Sequence, residues 1–240
     1  MSIADNIARS FLNSAQIISK TEIAENVFHL VITGKELMNM PYIPGQHLRV
    51  FIGFGMHTSF KEKIRTYSVW KYDRVSGTID MAVCAHSEGP GSSWIKSLVP
   101  GNTIYLSAPK GKFILDTSAT EYLFIGDASA LAHLYEIRRN LPSSKTIRGI
   151  IYAEKNTQVF SDLDGTYPFE FYELPQNPLQ QIKKLIENKS VGNTPESLIY
   201  IGGDGRICVG LHDYFKNVRG LKSRNIKTKP FWMPGKKGLE

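Results

Sequence analysis

The chain has 240 residues, 42% hydrophobic and 21% charged, with Lys+Arg 29 against Asp+Glu 22 and a formal net charge of +7. This is a globular composition with enough apolar material for one large domain or two ordinary ones, and no apolar run is long enough to cross a bilayer. The positive excess favours an anionic partner, but no zinc-finger spacing, RNA-recognition signature or basic zipper accompanies it, so nucleic acid is not expected.

In chain order, the first twenty residues lack the charged start, apolar core and small-residue cleavage site of a secretory signal. Ile3, Ile7 and Phe11, with Ala4 and Ala8 beside them, predict a short amphipathic helix. Branched and aromatic residues then predict strands over 15–19, 27–33, 47–53, 66–72, 78–85 and 103–108. Turn formers such as Pro44-Gly45, Ser76-Gly77 and Pro100-Gly101 separate them. One helix, 92–97, interrupts the strands after Gly89-Pro90-Gly91 and puts Trp94 and Leu98 on one face. From Thr120 onward the period changes. Strands are predicted over 122–125, 146–153, 169–174 and 198–201, and helices over 128–140, 179–188 and from 206 to about 218. The fold expected is an N-terminal antiparallel Greek-key β-barrel followed by a C-terminal α/β domain with a mostly parallel sheet. The divisions are 1–117, 118–228 and a basic C-terminal tail, 229–240. Cys84 and Cys208 are far apart and match no metal spacing, which points to a reducing cytosol, and no metal site is expected.

The chemistry-bearing stretch of the barrel is Arg65-Thr66-Tyr67-Ser68. Arg65 offers a planar fork of donors for a pyrophosphate, Tyr67 an aromatic face for a flat ring, and Ser68 a hydroxyl for a ring nitrogen. Alternation along a strand puts Arg65 and Tyr67 on one face. Further on, His86 precedes Gly89, Gly91, Ser92 and Ser93, where glycines and the N–H groups opening a helix form an anion site. In the second half Gly126-Asp127-Ala128-Ser129-Ala130 and Gly202-Gly203-Asp204 each follow a strand, where open α/β sheets bind ligands. Neither is the Gly-x-Gly-x-x-Gly fingerprint.

In this order and spacing the pieces resemble the siderophore-interacting protein family, within the ferredoxin–NADP reductase superfamily. Arg65-Thr66-Tyr67-Ser68 is similar to its Arg-x-Tyr-(Thr/Ser) flavin motif. The stretch from His86 through Gly89-Pro90 to Trp94 resembles its phosphate segment. Pro44-Gly45-Gln46-His47-Leu48-Arg49 resembles a strand entry, and Ala108-Pro109-Lys110-Gly111 the turn that closes the barrel. Gly126-Asp127-Ala128-Ser129-Ala130-Leu131 resembles Gly-Asp-Glu-Thr-Ala-Leu, and Phe231-Trp232-Met233-Pro234-Gly235-Lys236 resembles an aromatic-Trp-x-x-Gly ending. Trp70 stands where a second Arg is common, Ala128 replaces an acidic residue, Asp204 stands for Glu, and the Cys-Gly-Gly turn of the wider superfamily is missing.

The resemblance implies a cytoplasmic FAD-dependent reductase that releases iron as Fe(II) from an anionic ferric siderophore, with NADH, NADPH or ferredoxin as donor. Arg65, Thr66, Tyr67 and Ser68 would hold the flavin, with Tyr67 and Ser68 at the reacting ring. His86, Gly89, Gly91, Ser92 and Ser93 would carry the pyrophosphate, and Gly126, Asp127 and Ser129 the nicotinamide side. Arg49, Lys110 and Lys236 are the candidates for a basic substrate pocket. Two other readings stay open. One is a general NAD(P)H–flavin oxidoreductase serving a protein acceptor, and the other a flavin or siderophore binder without turnover.

Overall fold

The computed structural model describes residues 12–53, 60–85, 89–189, 192, 194 and 196–236. The helix expected around Ile3, Ile7 and Phe11 lies outside them, as does His86. The chain forms two compact units that divide between Ile114 and Leu115.

The first unit is built on β1 (Asn13–Ala24), β2 (Val27–Thr33), β3 (His47–Phe51), β4 (Ile64–Ser68), β5 (Lys71–Asp73), β6 (Thr78–Cys84) and β7 (Thr103–Leu106). They form one antiparallel sheet in the order β4-β3-β7-β1-β2-β6-β5. β7 follows β6 in the chain yet lies between β1 and β3, the long return of a Greek key. The single strand expected over 66–72 is two strands, β4 and β5, at opposite ends of the sheet order. Only Val69 and Trp70 join them, both buried, so the sheet must curl back on itself to bring its ends together. Period-2 patterning sets the core. In β2, Leu30 and Ile32 are buried while His29 and Val31 are half-exposed. They meet Ile17, Leu48, Val50, Ile79, Met81 and Leu106 in one apolar cluster. Helix α1 (Pro90–Ser97) seals it with Ile95. It begins two residues earlier than the sequence suggests, because Pro90 occupies the first helical position, where a missing N–H costs nothing.

The second unit has β8 (Glu121–Asp127), β9 (Thr146–Ala153), β10 (Glu170–Glu173), β11 (Ser197–Asp204) and β12 (Ile226–Trp232), all parallel, in the order β10-β9-β8-β11-β12. Helices α2 (Ala128–Arg139), α3 (Leu179–Lys189) and α4 (Gly205–Asp213) cover it. β8 and β11 are buried on nearly every residue, as strands between two helical layers must be. Leu123, Ile125, Ile199 and Ile201 pack with α3 and α4 residues. On the other face Phe124 stacks on Tyr200 at 5.1 Å and Tyr135 on Phe169 at 5.5 Å. The chain winds from β8 out to β10, then returns across β8 to β11. The reversal therefore lies between β8 and β11, at the ends of which Gly126-Asp127 and Gly203-Asp204 stand.

Boundaries in the second unit differ from the sequence reading as well. Residues 229–232 of the segment taken as a tail are the second half of β12, an edge strand paired to β11. Its sequence, Ile-Lys-Thr-Lys-Pro-Phe-Trp, hides the strand behind lysines and a proline, which edges tolerate and central strands do not. The helix expected to run to 218 ends at Asp213 and finishes as a π turn, Tyr214–Val218.

Candidate functional site

β4 is an edge strand, and its register on β3 fixes what each residue faces. Tyr67 lies opposite Leu48 and Arg65 opposite Val50, on the core-facing side. Ser68 lies opposite His47 and Thr66 opposite Arg49, on the other side. Arg65 and Tyr67 converge on the first turn of α1. A Cβ built on Gly91 would sit 3.2 Å from Tyr67 Oη and 3.5 Å from Arg65 Cγ. Glycine there leaves a bare stretch of backbone beside the aliphatic stem of Arg65 and the Tyr67 phenol. The Tyr67 ring stacks on Trp94 of the same helix, centroids 5.6 Å apart and planes 16° from parallel. Arg65 Nη1 donates to the Ile64 carbonyl at 2.6 Å and to the Glu62 carbonyl at 3.1 Å.

The early start of α1 changes which amides are on offer. The sequence reading expects the N–H groups of Ser92 and Ser93 to point outward. Both instead donate to Gly89 O, at 3.0 and 3.1 Å, inside the first turn. Ser92 is also buried, whereas Ser93 is exposed. Pro90 has no N–H, so Gly91 supplies the first-turn amide beside Arg65 and Tyr67.

The expected substrate residues belong to different units. His47 and Lys110 form a two-bond bridge, His47 N to Lys110 O at 2.9 Å and Lys110 N to His47 O at 3.0 Å. Gly111 follows at φ +114, and a Cβ on it would strike the His47 ring at 2.6 Å. Arg49 is two residues beyond His47 on β3, so His47, Arg49 and Lys110 share one face of the barrel. Lys236 belongs to the second unit and is exposed.

In the second unit Asp127 is buried, 8% exposed, and it caps α2. Its carboxylate accepts from Ser129 N at 2.9 Å, from Ser129 Oγ, from Asp204 N at 2.8 Å and from Trp232 Nε1 at 2.9 Å. Gly203, at φ +114, is required beside it: a Cβ would lie 2.4 Å from Asp127 Oδ2. Burial pushes the Asp127 carboxyl above the usual carboxylate range, against the pull of these bonds. The resemblance put Asp127 on the nicotinamide side. The structure turns it inward, where it ties the turn after β8 to the turn after β11 and to the end of β12. Asp204 caps α4 in the same way, accepting from Arg206 N at 2.9 Å and pairing with the Arg206 guanidinium at 2.6 Å. Met233 crosses the start of α4, its Cε 2.6 Å from a Cβ built on Gly205.

Asp204 and Trp232, singled out in the sequence as part of a turn and of an aromatic ending, meet here at Asp127, which sequence alone does not show. Tyr152 carried no sequence signal. Tyr152, opposite Asp127 in the β8–β9 ladder, is buried at 6% exposure, and its hydroxyl has no hydrogen-bond partner among the described residues. Burial, then Asp127, raises that phenol well above its ordinary range. Cys208 on α4 is pushed up to about 12 by burial, with Asp127 and Asp204 adding to it. Among the described residues no group of three His, Cys, Asp or Glu is placed to hold a metal, and no helix is long and apolar enough to cross a membrane.

Residues 14–114 match the family model of the oxidoreductase FAD-binding domain. The phthalate 4,5-dioxygenase oxygenase reductase subunit of Pseudomonas putida is 21% identical over 224 residues, 92% of this chain and 64% of that protein. The chain thus spans just under two thirds of that relative. The siderophore-interacting protein SipS from Aeromonas hydrophila superposes with a TM-score of 0.76 at 17% identity, covering 94% of this chain and 92% of that one. Phthalate dioxygenase reductase, described as a modular structure for electron transfer from pyridine nucleotides to [2Fe-2S], gives 0.74 at 17% identity, covering 96% of this chain and 71% of that one. At these identities the two structures share the fold.

Proposed function

We propose that the chain is a FAD-dependent oxidoreductase that reduces anionic ferric siderophores, releasing Fe(II), with NADH or NADPH as donor. The observation that carries the FAD site is the convergence of Arg65, Tyr67 and the bare backbone of Gly91 within the stretch that matches a FAD-binding domain. A methyl group at Gly91 would fill the space between helix and strand, so the residues present fit a dinucleotide laid against them.

Each side chain has a definable task. Arg65, which holds the carbonyls of Glu62 and Ile64, would bind a pyrophosphate as a stronger charge-assisted partner. The Gly91 amide adds a donor aligned with the α1 dipole. Tyr67, held flat by Trp94, presents an aromatic surface at the barrel edge. Ser68, buried on the opposite face of β4, would offer a hydroxyl to the flavin that Tyr67 would help to hold. In the second unit, the turns after β8 and β11 offer the crevice position of a doubly wound sheet, with Ser129 and Gly126 at its first turn. When bound, FAD converts a two-electron nicotinamide donor into one-electron chemistry, the unit that ferric iron accepts. Siderophore oxygens grip Fe(III) and suit Fe(II) poorly, so one electron loosens the complex. His47, Arg49 and Lys110 give the barrel a basic face for an anionic chelate.

A second reading, an iron–sulfur protein as electron partner, is favoured by the similarity to the phthalate reductase subunit across 92% of this chain. The test supplies FAD-loaded protein with NADH or NADPH and compares a ferric catecholate with a ferredoxin as acceptor, trapping Fe(II) with a coloured chelator. The siderophore reading expects Fe(II) formation faster than ferredoxin reduction. Ferredoxin reduction without Fe(II) formation selects the second reading, and no donor oxidation with either acceptor contradicts both.

A further inference from the structure

Helix α1 has only eight residues, about 12 Å of rod, and an isolated helix of that length is not stable in water. Its orientation must come from what holds it. At one end Gly91 lies against Tyr67 and Arg65. At the other end stands Lys20, from the middle of β1 and 75 or more residues away in the chain. Its ammonium donates to Ile95 O at 2.9 Å, Lys96 O at 2.9 Å and Leu98 O at 2.7 Å. An ammonium has three N–H donors, and each here has a carbonyl of the last turn or the C-cap. The Ile95 carbonyl also accepts from Leu98 N at 3.4 Å, and carbonyls at this end of the helix carry the negative end of its dipole. The Lys20 ammonium also lies 5.3 Å from the Phe28 ring centroid on β2, which fixes its approach from the sheet side.

We propose that Lys20 is a positioning residue for the dinucleotide site. It clamps the carboxyl end of α1 and thereby holds the amino end in register with Arg65 and Tyr67. The inference rests on the FAD reading above. The mechanics are those of a short lever: with the carboxyl end released and buried Ile95 as pivot, the arm to Gly91 is about 6 Å, and a tilt of about 10° displaces the amino end by about 1 Å. Misplacement on the scale of an ångström is enough to break a phosphate contact made by a backbone amide. Lys20 meets α1 through backbone carbonyls, so its effect reaches the ligand through the helix.

The experiment titrates the wild-type chain, Lys20→Met and Lys20→Arg with FAD and with riboflavin, following flavin fluorescence, with near-ultraviolet circular dichroism as the check on folding. The expected result is a loss of FAD affinity of about tenfold or more in Lys20→Met, little change for riboflavin, which has no phosphate, and recovery of most FAD affinity in Lys20→Arg. Unchanged FAD affinity in Lys20→Met, or equal loss of FAD and riboflavin, overturns the role of Lys20 while leaving the cofactor reading intact. A wild-type chain that binds no FAD overturns the cofactor reading and this inference with it. If Lys20→Met does not fold, the same titrations on Lys20→Gln, which keeps a donor amide, decide by the same criteria.

Discussion

Trp232 Nε1 donates to Asp127 Oδ2 at 2.9 Å, and through that bond the last strand of the parallel sheet is tied to the turn that follows its first. The acceptor is buried and its bond partners lie on three separate segments, so the bond joins β12 to the β8 and β11 turns at once. Trp232→Phe keeps the ring and removes the donor. The expected cost is about 1–3 kcal/mol of stability, read as a lower urea midpoint, because a buried carboxylate loses a partner. An unchanged midpoint shows that the bond carries no weight.

Gly91→Ala separates folding from ligand binding. The glycine is helical and outside the left-handed range, so alanine improves helix propensity by up to about 1 kcal/mol. The same methyl group lies 3.2 Å from Tyr67 Oη, in the space assigned to the dinucleotide. Apoprotein stability is expected to hold or rise while FAD affinity falls about tenfold or more. A variant that binds FAD as well as wild type places the cofactor elsewhere.

Lys110→Ala and Arg49→Ala test the basic face beside His47. Both are expected to raise KM for an anionic ferric catecholate severalfold and to leave bound flavin unchanged. Both side chains are half-buried, so the effect should shrink only modestly as salt is added. Loss of flavin in step with activity removes these residues from the substrate site.

Cys208 gives a test of burial by pH. Its folded pKa is raised from 9.0 to about 12, so the native state holds a proton that the unfolded chain releases. The stability this brings is present in full below about pH 9 and is lost as pH climbs through about 12. At pH 8 a thiol reagent should therefore modify the half-buried Cys84 first, and Cys208 only after urea is added. Rapid modification of both in the native state contradicts the burial of α4 on the sheet.

Much of the fold was legible because the patterning is strong. The strands at 27–33 and 146–153 match end to end, since apolar residues there alternate or run continuously between clear turns. What was hidden was non-local. β12 reads as a charged tail until β11 is beside it to accept its backbone bonds. The break at Val69-Trp70 is imposed by closure of the barrel rather than by a breaker residue. Arg65, Thr66, Tyr67 and Ser68 drew notice as a strand motif, but only tertiary structure places Gly91 against two of them. The inward turn of Asp127 was invisible, because Trp232 lies 105 residues further on. Gly89-Pro90-Gly91 read as a loop, although Pro90 already belongs to the helix.

The most direct test of the whole account is an equilibrium titration of the purified chain with FAD, following fluorescence quenching and the visible spectrum, alongside Arg65→Gln and Tyr67→Ala. One FAD per wild-type chain, weaker binding in both variants, and bleaching of the bound flavin by NADH or NADPH under anaerobic conditions are the expected results. A wild-type chain that leaves FAD free in solution contradicts the account at its centre.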